Sequence, residues 1–219
     1  MSLKHKKARD LMVENQLRPN KIKDPIILDV FKNTLKEDYL PKENNVIPYM
    51  DSDINIVSHR GYLKNLHLAQ LINSAEIEKK HKIMHIGSLT GYVTSMLANL
   101  CEEVIAIETD KEIRSILEEN ILRKGIKNIK IVKGSLKEGY MEDGPYDRIF
   151  IDSPIKDMQS VLLDQLNGEL GKIIMIQKIN NEFNQAFKIT KNKNNFSKEY
   201  LFDVFSNYEL YLDKEEFIF

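Results

Sequence analysis

From residue 82 onward, short apolar segments alternate with amphipathic ones, and this alternation constrains the fold more than any other feature. Five apolar segments predict buried strands, at 82–86, 103–107, 128–132, 147–151 and 172–176. Three stretches with apolar residues at helical spacing predict helices, at about 91–100, 110–124 and 157–166. Buried strands that alternate with helices form a parallel sheet through right-handed crossovers. The sequence therefore predicts an α/β fold built on a doubly wound, mostly parallel sheet.

The alternation stops after the fifth predicted strand. Residues 183–190 and 199–205 both have strand-like patterns, and only a polar loop separates them. Neighbouring strands without an intervening helix pair antiparallel. We therefore expect a C-terminal antiparallel hairpin at one edge of the sheet, which brings the sheet to seven strands.

The first part of the chain has a different pattern. Residues 4–17 and 66–77 have helical periodicity, and another helix is expected after Asp24, because an aspartate followed by proline is typical of a helix start. Residues 42–62 show no regular period. We divide the chain into an N-terminal helical extension with a loop, residues 1–64, and one compact α/β unit, residues 65–219.

Composition argues against several classes of partner. The 32 basic and 33 acidic residues give a formal net charge of −1, so the overall charge predicts no binding to nucleic acid or to an anionic membrane. The sequence has no run of about 18 apolar residues that could span a membrane. Cys101 is the only cysteine, and the first residues are polar rather than leader-like. We expect a cytoplasmic protein that is a monomer or a weak dimer.

A glycine turn follows the first predicted strand of the sheet. Residues 82–92 read KIMHIGSLTGY, and Gly87 and Gly91 allow a tight turn whose backbone can approach a ligand. Glu108 ends the second strand about 20 residues later, near the spacing expected for an acid that binds ribose hydroxyls. The pattern indicates a nucleoside pocket, although two turn glycines alone occur in many α/β proteins.

The histidines near these elements predict no metal site. His85 lies within a buried strand, where histidine is more often a hydrogen-bonded core residue than a ligand. His59 and His67 flank the loop at 54–64, and we expect them in loop or helix-surface positions.

Seven segments of the chain share one resemblance. They are 12–17 (MVENQL), 22–25 (IKDP), 31–41, 48–51 (PYMD), 83–92, 146–152 (YDRIFID) and 162–171. In these segments the chain resembles the protein-L-isoaspartate O-methyltransferases, and the likeness covers nearly its whole length. The resemblance implies a Rossmann-like methyltransferase domain at residues 65–219, with an active-site loop at 54–64.

This family resemblance also implies an activity. The cofactor would be S-adenosylmethionine, and the acceptor would be the free carboxylate of L-isoaspartyl residues in damaged proteins, so that the reaction serves protein repair. A carboxylate is already ionised at neutral pH, and its methylation therefore needs no general base.

The resemblance assigns roles to single residues as well. Nine residues would hold the cofactor: Gly87, Ser88, Leu89, Gly91, Glu108, Thr109, Ser135, Leu136 and Asp152. Glu108 would take the ribose hydroxyls, whereas Ser135 and Leu136 would flank the adenine. Ser58 and Lys64 would be the catalytic residues of the loop, with Lys64 as a cation that attracts the acceptor carboxylate.

Three positions depart from the family pattern. His85 stands where the family usually has an acid, Leu89 where it has a glycine, and Lys64 where it has a serine. These departures leave two alternatives open: a non-catalytic relative that has lost cofactor binding and acts by binding a partner, and a methyltransferase with another acceptor. A nicotinamide-dependent dehydrogenase is a weaker alternative, because the turn lacks the third glycine of that fingerprint.

Overall fold

The structure is a computed structural model and describes residues 3–41, 47–180, 183–193 and 195–212. Its strands in these ranges are β1 (Ile54–Val57), β2 (Arg60–Tyr62), β3 (Lys82–Ile86), β4 (Glu103–Ile107), β5 (Ile129–Val132), β6 (Arg148–Ile155), β7 (Glu169–Lys178), β8 (Asn184–Asn192) and β9 (Asn195–Val204). Strands β3 to β9 form one sheet in the order β5-β4-β3-β6-β7-β8-β9, and β1 and β2 form a separate hairpin. The sheet is parallel from β5 to β7 and antiparallel from β7 to β9. The predicted α/β fold, with a seven-stranded sheet and a C-terminal antiparallel hairpin, is confirmed.

The central strands are covered on both faces. Ile83 and Met84 of β3 and Val104 and Ile105 of β4 are completely buried. Strands buried on both sides read as continuous apolar runs rather than as alternating ones. This burial explains why the sequence locates β3 and β4 to the residue.

The helices of the described ranges are α1 (Leu3–Met12), α2 (Pro25–Asn33), α3 (Asn65–Ser74), α4 (Tyr92–Ala98), α5 (Lys111–Lys124) and α6 (Val161–Asp164). The stretch expected to be helical at 4–17 changes at Val13 from an α-helix to a π-helical turn. The helix expected at 157–166 is wrong in extent, since α6 has only four residues. Leu166 pairs with Tyr146 in an isolated parallel bridge, so the chain must already be extended there.

Side-chain caps explain where two helices begin. The Asp24 carboxylate accepts a hydrogen bond from the Ile26 N–H at 2.8 Å, which confirms the predicted start of α2. The Asp110 carboxylate accepts from the N–H groups of Glu112 and Ile113 at 2.9 and 3.0 Å. Both helices thus begin directly after an aspartate that caps the first turn.

The expectation of irregular structure at 42–62 is wrong for its second half. There β1 and β2 pair antiparallel, with Ile54 opposite Tyr62. The strands are only four and three residues long, and Arg60 and Gly61 interrupt the apolar pattern, so no strand period is visible in the sequence. Residues 42–46 of the same stretch lie outside the described residues. The hairpin carries Arg60 into the interior of the protein, where its side chain is buried.

One apolar cluster joins the N-terminal helices to the sheet. It contains Leu17 and Phe31 from the N-terminal part, Leu71 of α3 and Val93 of α4. The division of the chain at residue 64 stays a prediction. Within the described ranges, no helix combines the length and the apolar character needed to cross a membrane.

Gly61 marks the point where the hairpin touches the C-terminal segment, which we define as residues 205–212. A Cβ atom on Gly61 would stand 2.3 Å from the Ile54 carbonyl oxygen and 2.5 Å from the Tyr208 ring. We expect Gly61→Ala to lower the free energy of unfolding by about 1–3 kcal/mol through overpacking, as measured by urea denaturation. Gly168→Ala is the control, because a Cβ there meets no atom within 4 Å. Equal losses in the two variants would contradict the close contact.

Candidate functional site

The carboxyl ends of β3 and β4 form the crevice at which the sequence predicts a ligand. After β3 the chain turns through Gly87 (φ +85°) and Gly91 (φ +98°), and the N–H groups of Gly87 and Ser88 both donate to the Ile107 carbonyl oxygen at 3.0 Å. These bonds hold the turn against the end of β4, where Glu108 follows. The structure therefore brings Gly87, Ser88 and Glu108 together at the predicted edge of the sheet.

Glu108 does not present its carboxylate to this crevice. Its two oxygens accept hydrogen bonds from the Arg60 guanidinium at 2.9 and 2.7 Å, in a bidentate ion pair. The backbone N–H groups of Leu89 and Asp110 donate to the same oxygens at 3.0 and 3.1 Å. The Glu108 side chain has no exposed surface. Its hydrogen-bonding capacity is thus used by four donors of the chain itself.

The space above Gly87 is filled by a residue from the end of the described chain. Leu210 is completely buried, and its Cδ1 atom would stand 2.3 Å from a Cβ atom built on Gly87. The Leu210 N–H donates to the Pro154 carbonyl oxygen at 2.9 Å, and the Glu209 N–H donates to the His59 carbonyl oxygen at 2.9 Å. The C-terminal segment therefore runs between the hairpin and the end of β6, across the crevice.

In this arrangement of side chains, the crevice expected to hold S-adenosylmethionine is closed by residues of the chain itself. A ribose needs free acceptor oxygens on Glu108. Both oxygens of Glu108 already accept hydrogen bonds from Arg60 and from backbone N–H groups. A nucleoside also needs the space over Gly87, which Leu210 and the Arg60 guanidinium occupy. The residue types of a nucleoside site are present, but the space is closed.

Leu89 does not narrow this crevice. Its side chain is 1% exposed and belongs to the N-terminal apolar cluster with Tyr92 and Val93, whereas Leu210 belongs to a second cluster. Leu89 has φ +48°, a left-handed conformation that costs a non-glycine residue about 1–2 kcal/mol. Burial of a leucine contributes about 1.5–3 kcal/mol, which offsets this cost. The leucine thus ties the turn to the N-terminal helices.

The other predicted cofactor residues differ in their surroundings. Thr109 is exposed beside Glu108. The Ser135 Oγ atom accepts hydrogen bonds from the N–H groups of Lys137 and Glu138 at 3.2 and 3.0 Å, within a tight turn. Leu136 packs against the apolar cluster that contains Leu210. The next residue, Lys137, has its Nζ atom 4.6 Å from the centroid of the Tyr211 ring, so the turn expected to flank the adenine lies beside the C-terminal segment.

Asp152 faces the interior rather than the crevice. Its Oδ1 atom lies 3.2 Å from the His85 Nε2 atom, and the His85 Nδ1 atom lies 2.9 Å from the Thr94 Oγ1 atom. All three side chains are buried, which confirms that His85 is a hydrogen-bonded core residue. The arrangement is enclosed and offers no nucleophile to a substrate. The described residues also contain no group of three or more His, Cys, Asp or Glu side chains that could hold a metal ion.

A groove of about 470 Å³ lies on the other side of the C-terminal segment. Its lining residues are Asp51, Ser52, Asp53, Lys64, His67, Phe205, Ser206, Asn207 and Tyr208. The Lys64 Nζ atom lies 3.9 Å from the Asp51 Oδ1 atom, and the Lys64 N–H donates to Asp53 at 2.9 Å. Ser58 is exposed in the turn of the hairpin, with its Oγ atom 3.1 Å from the His59 Nδ1 atom. The structure places Lys64 in a groove but leaves Ser58 outside its lining.

The expected surface position of His67 is wrong. Only 6% of the residue is exposed, because α3 turns it inward, where its ring lies 5.7 Å from the ring of Phe202. Burial, followed by the nearby Lys64 ammonium, lowers the pKa of His67 to about 4. His67 is therefore neutral at physiological pH.

Sequence reasoning also missed a buried lysine below the turn. Lys36 is completely buried, and its ammonium donates to the Asn65 Oδ1 atom at 3.1 Å and lies 5.8 and 5.3 Å from the rings of Tyr62 and Tyr92. Burial lowers the pKa of Lys36 to about 7, against a smaller opposing effect of Asp53. The Tyr62 hydroxyl bonds to Thr90 in the turn at 2.8 Å. The N-terminal extension is thus linked directly to the turn.

Neither Arg60 nor Lys36 lies in a sequence pattern that predicts a buried charge. Arg60 lies in a short charged and glycine-containing stretch, SHRG, that reads as a loop. One indirect signal exists, because a carboxylate at the end of a buried strand needs a ligand or a cation as partner. The sequence shows that Glu108 needs a partner but not that Arg60 is the partner.

Comparison with known proteins identifies a family. Residues 6–205 match the family model described as "Protein-L-isoaspartate(D-aspartate) O-methyltransferase (PCMT)". The chain is 27% identical over 169 residues to a protein-L-isoaspartate O-methyltransferase of Methanoculleus marisnigri, covering 77% of this chain and 76% of that protein. It is 28% identical over 171 residues to protein-L-isoaspartate O-methyltransferase 1 of Syntrophobacter fumaroxidans, covering 77% and 78%.

Solved structures agree with the sequence matches. A protein-L-isoaspartate O-methyltransferase structure from Plasmodium falciparum, in complex with S-adenosyl-L-homocysteine, superposes with a TM-score of 0.74 at 25% identity and covers 94% of this chain and 98% of that chain. Another protein-L-isoaspartate O-methyltransferase structure gives a TM-score of 0.78 at 21% identity, which shows the shared fold. There the alignment covers 90% of this chain but 64% of the longer neighbour.

The ion pair predicts a strong energetic coupling. We expect Arg60→Met and Glu108→Gln each to destabilise the protein by about 3–5 kcal/mol, since each leaves the other charge buried without its partner. The double variant should cost less than the sum of the two losses, as measured by urea unfolding. The exposed pair Lys80 and Glu78 is the control, where coupling of about 0–1 kcal/mol is expected. Additive losses at Arg60 and Glu108 would contradict the pairing.

His67 predicts a dependence of stability on acid pH. Its pKa is lowered on folding, so its contribution is fully present above its unfolded pKa of about 6.5 and is lost as the pH falls towards 4. The loss is at most about 3 kcal/mol, because each pKa unit is worth about 1.4 kcal/mol. His67→Phe should remove this part of the loss, seen as a flatter plot of unfolding free energy against pH. An unchanged slope between pH 6.5 and 4 would show that His67 is accessible to protons in the folded state.

Proposed function

Because the chain belongs to the protein-L-isoaspartate(D-aspartate) O-methyltransferase family, we propose that it is an S-adenosylmethionine-dependent methyltransferase that esterifies the free carboxylate of L-isoaspartyl residues in proteins. The match of the family model over residues 6–205 carries this proposal, because it spans the hairpin, the turn and every strand of the sheet. The family assignment made from sequence resemblance is confirmed by this match and by the curated relatives.

The chemistry of this reaction agrees with the side chains that are present. The acceptor carboxylate is ionised at neutral pH, so the protein has to orient and desolvate it rather than deprotonate it. Orientation of two reactants can supply about 7–11 kcal/mol of the barrier. The enclosed group of His85, Asp152 and Thr94 is therefore not needed as a base.

The groove beside the C-terminal segment is the proposed acceptor site. It has a volume of about 470 Å³ and is lined in part by Lys64, whose side chain is partly exposed. A lysine ammonium attracts a carboxylate as a point charge. Neutral His67 adds no charge to this groove, whereas Asp51 and Asp53 add carboxylates, so an acceptor carboxylate must compete with Asp51 for the Lys64 ammonium. Lys64 is therefore the residue that we propose to hold the isoaspartyl carboxylate.

The setting of the reaction is part of the proposal. We propose a cytoplasmic enzyme that acts in protein repair on isoaspartyl proteins, without nucleic acid or membrane, as a monomer or a weak dimer. The near-zero net charge and the single, buried cysteine support this setting.

A second candidate function is supported by the closed crevice. A relative that does not bind the cofactor and acts by binding a partner would have no use for an open nucleoside site. The pairing of Glu108 with Arg60 and the burial of Leu210 over Gly87 are the observations that raise this candidate, whereas the family match over residues 6–205 favours the methyltransferase. The two candidates differ in whether S-adenosylhomocysteine binds.

Methyl transfer to a defined peptide tests the first candidate. We expect radiolabelled methyl groups to enter an isoaspartyl peptide, as a base-labile ester, but not the matched aspartyl peptide. Lys64→Met should lower kcat/KM about tenfold, a loss of about 1.4 kcal/mol of transition-state stabilisation, mainly through KM.

Ser58→Ala is the matched control for this experiment, because Ser58 lies outside the groove lining and should have little effect. Equal labelling of the two peptides would contradict the acceptor. Complete absence of S-adenosylhomocysteine binding, in the native chain and in the opened variants described below, would favour the second candidate.

A further inference from the structure

We infer that Arg60 and Leu210 form an internal closure of the cofactor crevice and set the cofactor affinity of this chain. The inference rests on the proposed function, and it concerns how the same site is regulated. The closure and a nucleoside exclude each other, so a cofactor binds only when the hairpin arginine and the C-terminal segment have withdrawn.

Arg60 and a bound nucleoside compete for the Glu108 carboxylate. The Arg60 guanidinium binds the two Glu108 oxygens that a ribose diol would use, while the Leu89 and Asp110 N–H groups hold the carboxylate in place. The guanidinium matches a carboxylate with two parallel hydrogen bonds. Arg60 therefore acts as an intramolecular competitor for the residue that would bind the ribose.

One hydrogen-bond donor of the closure has no partner in the part of the chain that the structure describes. The Arg60 Nε atom is buried without a hydrogen-bond partner among the described residues. A buried donor without a partner carries a desolvation penalty that is recovered when the group returns to water. Withdrawal of Arg60 thus regains hydration, which favours exchange against a ligand.

The C-terminal segment is held in place by contacts that are not part of the sheet. Residues 205–212 form neither helix nor strand, and they follow the last strand of the sheet rather than contributing one. Glu209 pairs with Lys178, the N–H groups of Glu209 and Leu210 bond to His59 and Pro154, and the Tyr211 hydroxyl bonds to the Asp157 carbonyl. These contacts can break while all seven strands stay paired.

The segment also separates the crevice from the groove. Its first four residues, from Phe205 to Tyr208, form part of the groove lining, and Leu210 covers Gly87. Withdrawal of this segment, together with that of the Arg60 side chain, would open the crevice towards the proposed acceptor site.

Calorimetric titration with S-adenosylhomocysteine tests the closure. We expect Leu210→Ala to bind at least tenfold more tightly than the native chain, because the smaller side chain frees the space over Gly87. Arg60→Lys should also bind more tightly, since it keeps the charge beside Glu108 but loses the bidentate geometry. Leu212→Ala is the matched control from the same segment, where the side chain is 59% exposed and the affinity should not change.

Thiol labelling gives an independent readout in the full chain. Burial raises the pKa of Cys101 to about 12, so a cysteine introduced at Leu210 would be the reactive thiol. We expect saturating S-adenosylhomocysteine to accelerate labelling of Leu210→Cys at least tenfold. Leu212→Cys should be labelled rapidly with or without the ligand.

The outcomes separate this inference from the proposed function. Equal affinities of the native chain, Leu210→Ala and Arg60→Lys, or a labelling rate at Leu210→Cys that the bound ligand leaves unchanged, would overturn the closure and leave the methyltransferase proposal intact. Failure of all three proteins to bind S-adenosylhomocysteine at millimolar concentration would overturn both. Tighter binding by the variants, with Leu212→Ala unchanged, would support both.

Discussion

A buried ion pair between Arg60 and Glu108 organises the carboxyl edge of the sheet. Removing two charges from water is costly, and the cost is offset only where the geometry is good and the remaining lone pairs are satisfied. Here the guanidinium meets the carboxylate with two hydrogen bonds, and two backbone N–H groups complete its shell. The carboxylate thereby joins the β1–β2 hairpin, the turn after β3 and the start of α5.

This pair explains how one scaffold can carry the features of a methyltransferase and still be closed. The glycine turn and the acid at the end of β4 occupy the positions expected of a nucleoside site. The side chains that fill the site come from the hairpin and from the C-terminal segment, which are outside the parallel part of the sheet. The fold therefore provides the site, and its access depends on two peripheral elements.

Features that depend on neighbouring residues in the sequence were predicted, whereas contacts between residues far apart in the chain were not. Strands β3 and β4 were predicted to the residue, because burial on both faces leaves an apolar run that is visible locally. The environment of Glu108 was not predicted, because its partner Arg60 is 48 positions away and lies in strands too short to show a period. Leu210 reads in the sequence as one more apolar residue, and only the path of the folded chain places it over Gly87.

The buried Lys36 links the N-terminal extension to the turn by proton binding as well as by packing. In the folded protein burial lowers its pKa to about 7, whereas a lysine in water has a pKa of about 10.4. Any motion that admits water between α3 and the Tyr62–Tyr92 pair would restore the higher proton affinity. Between about pH 7 and pH 10, separation of the N-terminal helices from the sheet is therefore accompanied by proton uptake at Lys36, and a rise in pH across this range opposes the separation.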